Sequence, residues 1–426
     1  MMKNKNLPSP KREVPCIHWR ECSGCPLIQH PYKTQLETKR DLVFNAYKDE
    51  GSFDMANVTK ILKAVRASPR TLAYRNKAKW ILQKSADGTL KMGIYRAGSH
   101  EVIDIPTCPV HAPEINEISA FIKELIHKHE VPVLKFGQIF DKQAVLRYVI
   151  VRYSFREKKL ICVFVTGAQA VNGFAGLVKD LLAKYEAKLS TIVQNINDGE
   201  GNVLLGEANR YHFKKGELTE SMGSYRVPVG PLSFLQVNSI QASYLYKRVS
   251  QLLKGHHKQG LDLYSGVGLM AFHMASNTEQ ILAVEEVGSA ALEAITAARR
   301  AKLGNVLQLC SDAADGIKTF HEEFGVPDWV ILNPPRKGCD PDVLRLLAEK
   351  MPGKIIYVSC NPKSQARDLA LLMRWNPSLR LKSLEPVDMF PQTLHVESIA
   401  YLENVSVKKL GKGSSGKSKK GSKTLH

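Results

Sequence analysis

Residues 260–286 read GLDLYSGVGLMAFHMASNTEQILAVEE. An apolar run from Gly260 to Leu263 ends in a glycine-punctuated turn, Tyr264-Ser-Gly266-Val-Gly268. A helix-length stretch follows from Leu269, and a second apolar run, Ile281 to Glu286, closes the unit. Short apolar runs bounded by turn residues are buried strands, and strand, turn, helix and strand in one such span make a βαβ unit. Comparable runs recur at VILNPP (330–335) and KIIYVSC (354–360). Residues 223–405 are therefore expected to form a doubly wound α/β domain, a mainly parallel sheet with helices on both faces.

In such sheets ligands lie beyond the carboxyl ends of the strands. Gly266 and Gly268 stand where backbone must turn tightly and approach a ligand at a helix start. Glu285 ends the next strand, where an acid can accept hydrogen bonds from ribose hydroxyls, and Glu286 can do the same. Met270 and Ala271 follow Leu269, so the G-x-G-x-x-G fingerprint of a pyrophosphate-binding dehydrogenase is missing. A nucleoside cofactor without phosphates fits better.

Upstream, residues 31–50 carry Leu36, Leu42, Val43 and Tyr47 at helical spacing. YRNKAKWILQ and KMGIYRAGSHEVIDI alternate apolar and polar residues around the Asp87-Gly88 turn and read as a hairpin-rich sheet. LRYVIVRYS, KLICVFVTG, STIVQNIN and the stretch around GNVLLGEANRYHF add strands, with one helix in GLVKDLLAKYEAKL. A mixed α/β domain over 16–222 is expected. Arg70, Tyr74, Arg75, Lys77, Lys79 and Trp80 interleave cations with aromatics, as a surface that grips phosphates and stacks on bases does, and as a half-buried strand with a solvated face also does.

The 426 residues hold 60 Lys and Arg against 41 Asp and Glu, a formal charge of +19. Seven of those lysines lie in the last 19 residues, so a flexible basic tail is expected over 406–426, and a flexible N-terminus over 1–15. The remainder is still basic, which favours a polyanionic partner. No run approaches the roughly 20 apolar residues of a membrane span and no signal peptide is evident. A cytoplasmic protein, with no membrane and no stable protein partner, is expected. Its eight cysteines should then be reduced. Cys16, Cys22 and Cys25 follow C-x5-C-x2-C spacing, and Cys108 supplies a fourth thiolate for a structural iron–sulfur or zinc centre.

Four further motifs are Ser233-Phe-Leu-Gln236-Val-Asn238, Asn333-Pro-Pro-Arg336-Lys-Gly338, Val358-Ser-Cys360-Asn361-Pro362 and Asp388-Met-Phe390-Pro391-Gln-Thr393-Leu-His395-Val-Glu397. In order and spacing, from the cysteines to Glu397, the chain resembles the RNA uracil-5 methyltransferases. It is most similar to the branch acting on uracil 747 of bacterial 23S ribosomal RNA, because the N-terminal TRAM barrel common in the family is absent and the motif reads NPPRKG. The resemblance implies a class I, Rossmann-like methyltransferase domain and S-adenosyl-L-methionine bound by Gln236, Tyr264, Glu285 and Asn333. It also implies a [4Fe-4S] cluster on Cys16, Cys22, Cys25 and Cys108, and a ribosomal RNA (23S) partner. Ser265 departs from the family, which usually has Cys there.

The chemistry suits these residues. Uracil C5 is a poor nucleophile until a thiolate adds at C6, and Cys360 at a strand end is the matching nucleophile. Glu397 is the matching base for the C5 proton, with His395 as an alternative. The target base must be flipped out or lie in a loop. Three readings compete: a methyltransferase acting on another ribosomal or transfer RNA site, a cytosine-5 enzyme, and a non-catalytic RNA-binding or ribosome-assembly factor.

Overall fold

The computed structural model describes residues 16–138, 143–199, 204–233, 235–350 and 352–406. The N-terminus (1–15) and, apart from Ser406, the expected basic tail lie outside the described residues.

Two helices lead the chain, α1 (Tyr32–Glu50) and α2 (Met55–Ile61). A seven-stranded sheet follows: β1 (Lys77–Lys84), β2 (Leu90–Tyr95), β3 (Val102–Asp104), β4 (Leu146–Ser154), β5 (Lys159–Thr166), β6 (Leu189–Ile196) and β7 (Ala208–Lys214), in the order β3-β2-β1-β4-β5-β6-β7. Helices α3 (Pro113–Lys128) and α4 (Phe174–Tyr185) belong to this unit. All neighbours pair antiparallel except β5 and β6, which α4 connects as a crossover. Ala78, Trp80 and Leu82 of β1 and Val149 and Val151 of β4 share a buried core with Ile115, Ile118 and Ile122 of α3. The period-two reading located the strands. It passed over α3, although Ile115, Ile118, Ile122, Leu125 and Ile126 repeat at helical spacing.

After the hairpin of β8 (Thr219–Met222) and β9 (Tyr225–Pro228) and helix α5 (Ser239–Leu252), the second sheet begins. Its elements are β10 (His257–Leu263), α6 (Leu269–Met274), β11 (Thr278–Glu285), α7 (Gly288–Arg300), β12 (Val306–Cys310), α8 (Ala313–Phe324), β13 (Trp329–Leu332), α9 (Pro341–Lys350), β14 (Lys354–Ser359), α10 (Pro362–Trp375), β15 (Leu379–Val387) and β16 (Glu397–Asn404). The order is β12-β11-β10-β13-β14-β16-β15. Strands β10 to β14 are parallel, while β16 inserts antiparallel between β14 and β15. The order reverses at β10 and β13, which opens a crevice at their carboxyl ends.

Helices cover both faces of this sheet, as its apolar strands require. One face packs with α5 and α6 in a core that continues to Ile150, Ile161 and Val163 of the first sheet. The other is covered by α8, α9 and α10 and by α1 and α2, through Val43, Tyr47 and Val58. The two leading helices, expected to belong with residues 16–222, thus complete the second sheet's layer. Their amphipathic spacing specified a buried face without specifying which sheet it would meet. Among the described residues no helix is long and apolar enough to cross a membrane.

Candidate active site

Each strand of the crevice ends in a turn that is locally determined. After β10, Tyr264 adopts φ +59°, a left-handed conformation unusual for a non-glycine residue, followed by Gly266 at +56° and Gly268 at +78°. A side chain at Gly268 would meet the Phe272 ring at 2.9 Å. Asn361 ends β14 and caps α10, its side chain accepting from the Lys363 amide with Pro362 in the first turn. Asn238 caps α5 in the same way, accepting from the Gln241 amide at 3.2 Å.

The turn after β10 borders a cavity of about 1100 Å³ lined by all four expected cofactor residues, Gln236, Tyr264, Glu285 and Asn333. Glu285 accepts the amides of Gly266 at 2.8 Å and Val287 at 3.0 Å, so its carboxylate is fixed at the mouth of the glycine turn. Glu286 also lines the cavity and is exposed, without those bonds. Below the turn, Asp262 is fully buried; one oxygen accepts the Ala271 amide at 3.0 Å and the other has no partner among the described residues. Burial pushes this carboxyl up to about 7, with Glu285 adding to the shift. Ser311 and Asp312, which follow β12, also line the cavity, and the Ser311 amide donates to the Glu285 carbonyl. Sequence reasoning missed them, although they follow a strand end of the same sheet. A carboxylate, backbone amides and apolar walls suit a nucleoside cofactor.

Cys360 and Glu397 come together through strand pairing. Ser359 of β14 pairs with Ser398 of β16, so the next step outward sets Cys360 opposite Glu397. Arg336, exposed to solvent, acts electrostatically on the Cys360 thiol. Burial and then Glu397 raise the thiol's pKa, while Arg336 lowers it. Glu397 is buried, and desolvation lifts its carboxyl to about 7 against the pull of Arg336. Arg336 is itself positioned from the next strand: its carbonyl accepts the Asn361 side-chain amide at 2.9 Å. Gly338, at φ +89°, lets the loop pass over Asp368, which accepts the Cys339 amide at 2.7 Å and the Tyr357 hydroxyl at 2.6 Å. The sequence identified Arg336 as part of a motif and did not reveal its contact with the thiol. His395 is held below the usual imidazole range by desolvation and then by Arg336, Arg75 and Lys39.

The segment 388–397 is gripped by the first described residues of the chain. Gln392, at φ +72°, exchanges hydrogen bonds with Gln35, and its carbonyl accepts the Leu27 amide at 3.0 Å. The Tyr74 hydroxyl donates to the Pro391 carbonyl at 3.0 Å.

The four expected metal ligands share one neighbourhood. Burial raises the Cys22, Cys25 and Cys108 thiols, Cys25 to about 12; charge on neighbouring thiols of the set raises them further, while Arg75 lowers all three. The Gly24 amide donates to Cys22 Sγ at 3.4 Å. Among the described residues no three His, Cys, Asp or Glu side chains are grouped closely enough to hold a metal ion, so the geometry lends the expected cage no support. Electrostatic neighbourhood acts over longer distances than coordination and does not by itself make a site.

The tRNA (uracil-5-)-methyltransferase family model matches residues 217–405. An uncharacterized RNA methyltransferase of Geobacter sulfurreducens is 38% identical over 403 residues, 93% of this chain and 77% of the relative. The chain belongs to the RNA uracil-5 methyltransferase family. An uncharacterized RNA methyltransferase of Staphylococcus epidermidis is 30% identical over 387 residues, 91% of this chain and 82% of that protein. Among solved structures, the Pyrococcus abyssi tRNA (uracil-54, C5)-methyltransferase in complex with S-adenosyl-L-homocysteine superposes with a TM-score of 0.73 at 26% identity, covering 90% of this chain and 85% of that one. As a member of this family the chain is an S-adenosylmethionine-dependent RNA methyltransferase with an α/β methyltransferase fold.

Proposed function

We propose that the protein methylates C5 of a uracil in RNA, at a 747-type site of 23S ribosomal RNA, with Cys360 as nucleophile and Glu397 as base. The observation that carries this is the convergence of Cys360, Arg336 and Glu397 at strand ends of the sheet whose crevice holds Gln236, Tyr264, Glu285 and Asn333. The choice of 23S ribosomal RNA rests on the NPPRKG motif.

S-Adenosylmethionine supplies an electrophilic methyl group on a sulfonium when bound in that cavity. Arg336 favours the Cys360 thiolate, which adds to uracil C6; the C5–C6 π pair moves into the ring as an enolate and makes C5 nucleophilic. Once C5 carries the methyl group and its original hydrogen, the Glu397 carboxylate accepts that proton. The released pair re-forms the C5–C6 double bond and expels the Cys360 sulfur as thiolate. A base with a pKa near 7 is matched to this task at neutral pH. In this reading Glu285, whose carboxylate is fixed by two backbone amides, accepts the ribose hydroxyls.

The test is incubation of the protein with labelled S-adenosylmethionine and unmodified 23S ribosomal RNA or transfer RNA, with mass-spectrometric mapping of the product. 5-Methyluridine is expected, at a 747-type position, and Cys360→Ala should abolish it. Product in transfer RNA alone would move the site assignment. A different methylated base, or full activity in Cys360→Ala, would overturn the reading.

We also propose that Cys16, Cys22, Cys25 and Cys108 hold a [4Fe-4S] cluster, on the C-x5-C-x2-C spacing with its distant fourth cysteine and on the family resemblance. Anaerobic purification should yield iron, sulfide and a broad visible absorbance that Cys25→Ser removes. Zinc at one equivalent would replace the cluster in this reading.

A further inference from the structure

One face of the first sheet carries three cations, two of which, the lysines, have no paired carboxylate among the described residues. The antiparallel register of β1 and β4 sets Lys77 opposite Arg152 and Lys79 opposite Ile150, so these side chains share a face. It is the face opposite to Ala78, Trp80 and Leu82, whose side chains belong to the helix-covered core. Like charges directly across a strand pair are destabilising, and a fold that keeps them needs something to offset the repulsion.

Glu293 offsets part of it at Arg152, but no carboxylate pairs with either lysine among the described residues. Neither Lys77 nor Lys79 forms an ion pair there. Burial, then repulsion from Arg152 and Lys79, pushes the Lys77 ammonium down to about 8. Arg152 is only 4% exposed, and its Nε–H has no partner among the described residues. Glu293 is the carboxylate that acts on Arg152, and it also accepts the Ser233 hydroxyl at 2.5 Å, so the counter-charge on this face serves the arginine and neither lysine.

The group adjoins the active site. Arg152 Nη2 donates to the Ser233 carbonyl, and Asn76, next to Lys77, donates its side-chain amide to the Gln236 carbonyl at 3.2 Å and its backbone amide to the Val237 carbonyl at 2.9 Å. Ser233 and Gln236 line the cofactor cavity. Lys79 is exposed and Lys77 half-buried, so the group opens to solvent beside that wall. Tyr74 and Trp80 of the same stretch are buried, with the Trp80 indole donating to Ser119 at 2.8 Å. Of the interleaved cations and aromatics, it is therefore these lysines rather than the rings that remain available to a ligand.

We infer that Lys77, Lys79 and Arg152 form a subsite for a backbone phosphate of the RNA, next to the base being modified. A half-buried lysine without a paired carboxylate, such as Lys77, binds a phosphodiester more strongly than a solvated one, because water screens it less. The inference rests on RNA being the substrate.

The test is fluorescence anisotropy of a fluorescein-labelled oligouridine bound to the full chain over a series of salt concentrations. Each phosphate contact on a single strand contributes about 0.7 to the slope of log affinity against log salt. Lys77→Gln combined with Lys79→Gln should lower affinity several-fold at low salt and reduce the slope by about 0.7 to 1.4. Lys77→Arg should keep the slope, and Lys79→Gln alone, at an exposed position, should give a partial loss while S-adenosylhomocysteine binding stays intact. An unchanged slope and affinity in both glutamine variants would overturn the inference. So would displacement of the oligouridine by low-millimolar inorganic phosphate at constant ionic strength, which would mark a free-anion site. Binding is read here without turnover, so a missing 5-methyluridine product would defeat the methylation reading and leave this result separate.

Discussion

Lys39 of α1 is ion-paired with Asp388, the residue that opens the segment leading to Glu397, and neither side chain is accessible to solvent. Lys39 also donates to the Phe390 carbonyl at 2.9 Å, and the Tyr32 hydroxyl donates to the second Asp388 oxygen at 2.8 Å. Burial lowers the lysine's pKa and the carboxylate opposes that shift. The first helix of the described fold thus fixes the segment that carries the base. Truncating one partner of such a pair leaves the other charged and buried, which costs about 3–5 kcal/mol. Lys39→Met should lower the stability read by urea denaturation by that amount, and Lys39→Met with Asp388→Leu should recover part of it.

Glu397 keeps its proton in the folded protein up to about pH 7, whereas the ordinary carboxyl value is 4.5. Folding therefore takes up a proton between these values, and this group's contribution to stability falls as pH rises through the window, then levels off above about 7. Glu397→Gln cannot titrate. Its stability relative to the parent should improve by up to about 3 kcal/mol between acid and mildly alkaline pH, by thermal unfolding in matched buffers. Turnover of the parent should rise through the same window as the carboxylate forms, and the variant should lack it.

Arg336 lowers the Cys360 pKa, its positive charge favouring the thiolate. Arg336→Gln should raise that pKa, so alkylation of Cys360 by iodoacetamide, followed by peptide mass spectrometry, should slow several-fold at neutral pH and recover in alkali. An alkylation profile identical to the parent's would show that the guanidinium does not act on the sulfur.

Gly338 sits at φ +89°, and a methyl group there would approach Asp368 Oδ2 at 2.4 Å. Asp368 is fully buried, so it cannot yield cheaply. Gly338→Ala should cost about 1–3 kcal/mol and depress kcat by shifting the Arg336 loop, with smaller effect on S-adenosylhomocysteine affinity. Calorimetry and steady-state kinetics together separate the two effects.

The glycine turn at 264–268, the acid at Glu285, the strand-end Asn333 and the strand-end Cys360 are legible in the sequence because each is a local event: an apolar run ends, a glycine or cap turns the chain, and the parallel-sheet rule puts that turn at the ligand crevice. The same local signals specify helical faces for α1 and alternation for β1. What they leave open is every choice of neighbour. Antiparallel insertion of β16 between β14 and β15 brings Glu397 to Cys360. Packing of α1 on the second sheet puts Lys39 on Asp388. The register of β1 on β4 stacks Lys77 against Arg152 while Tyr74 and Trp80 are buried. Sequence period determines which side chains share a face, since that depends only on backbone geometry; which faces meet depends on the burial and pairing of segments distant in the chain, and only the tertiary structure decides it.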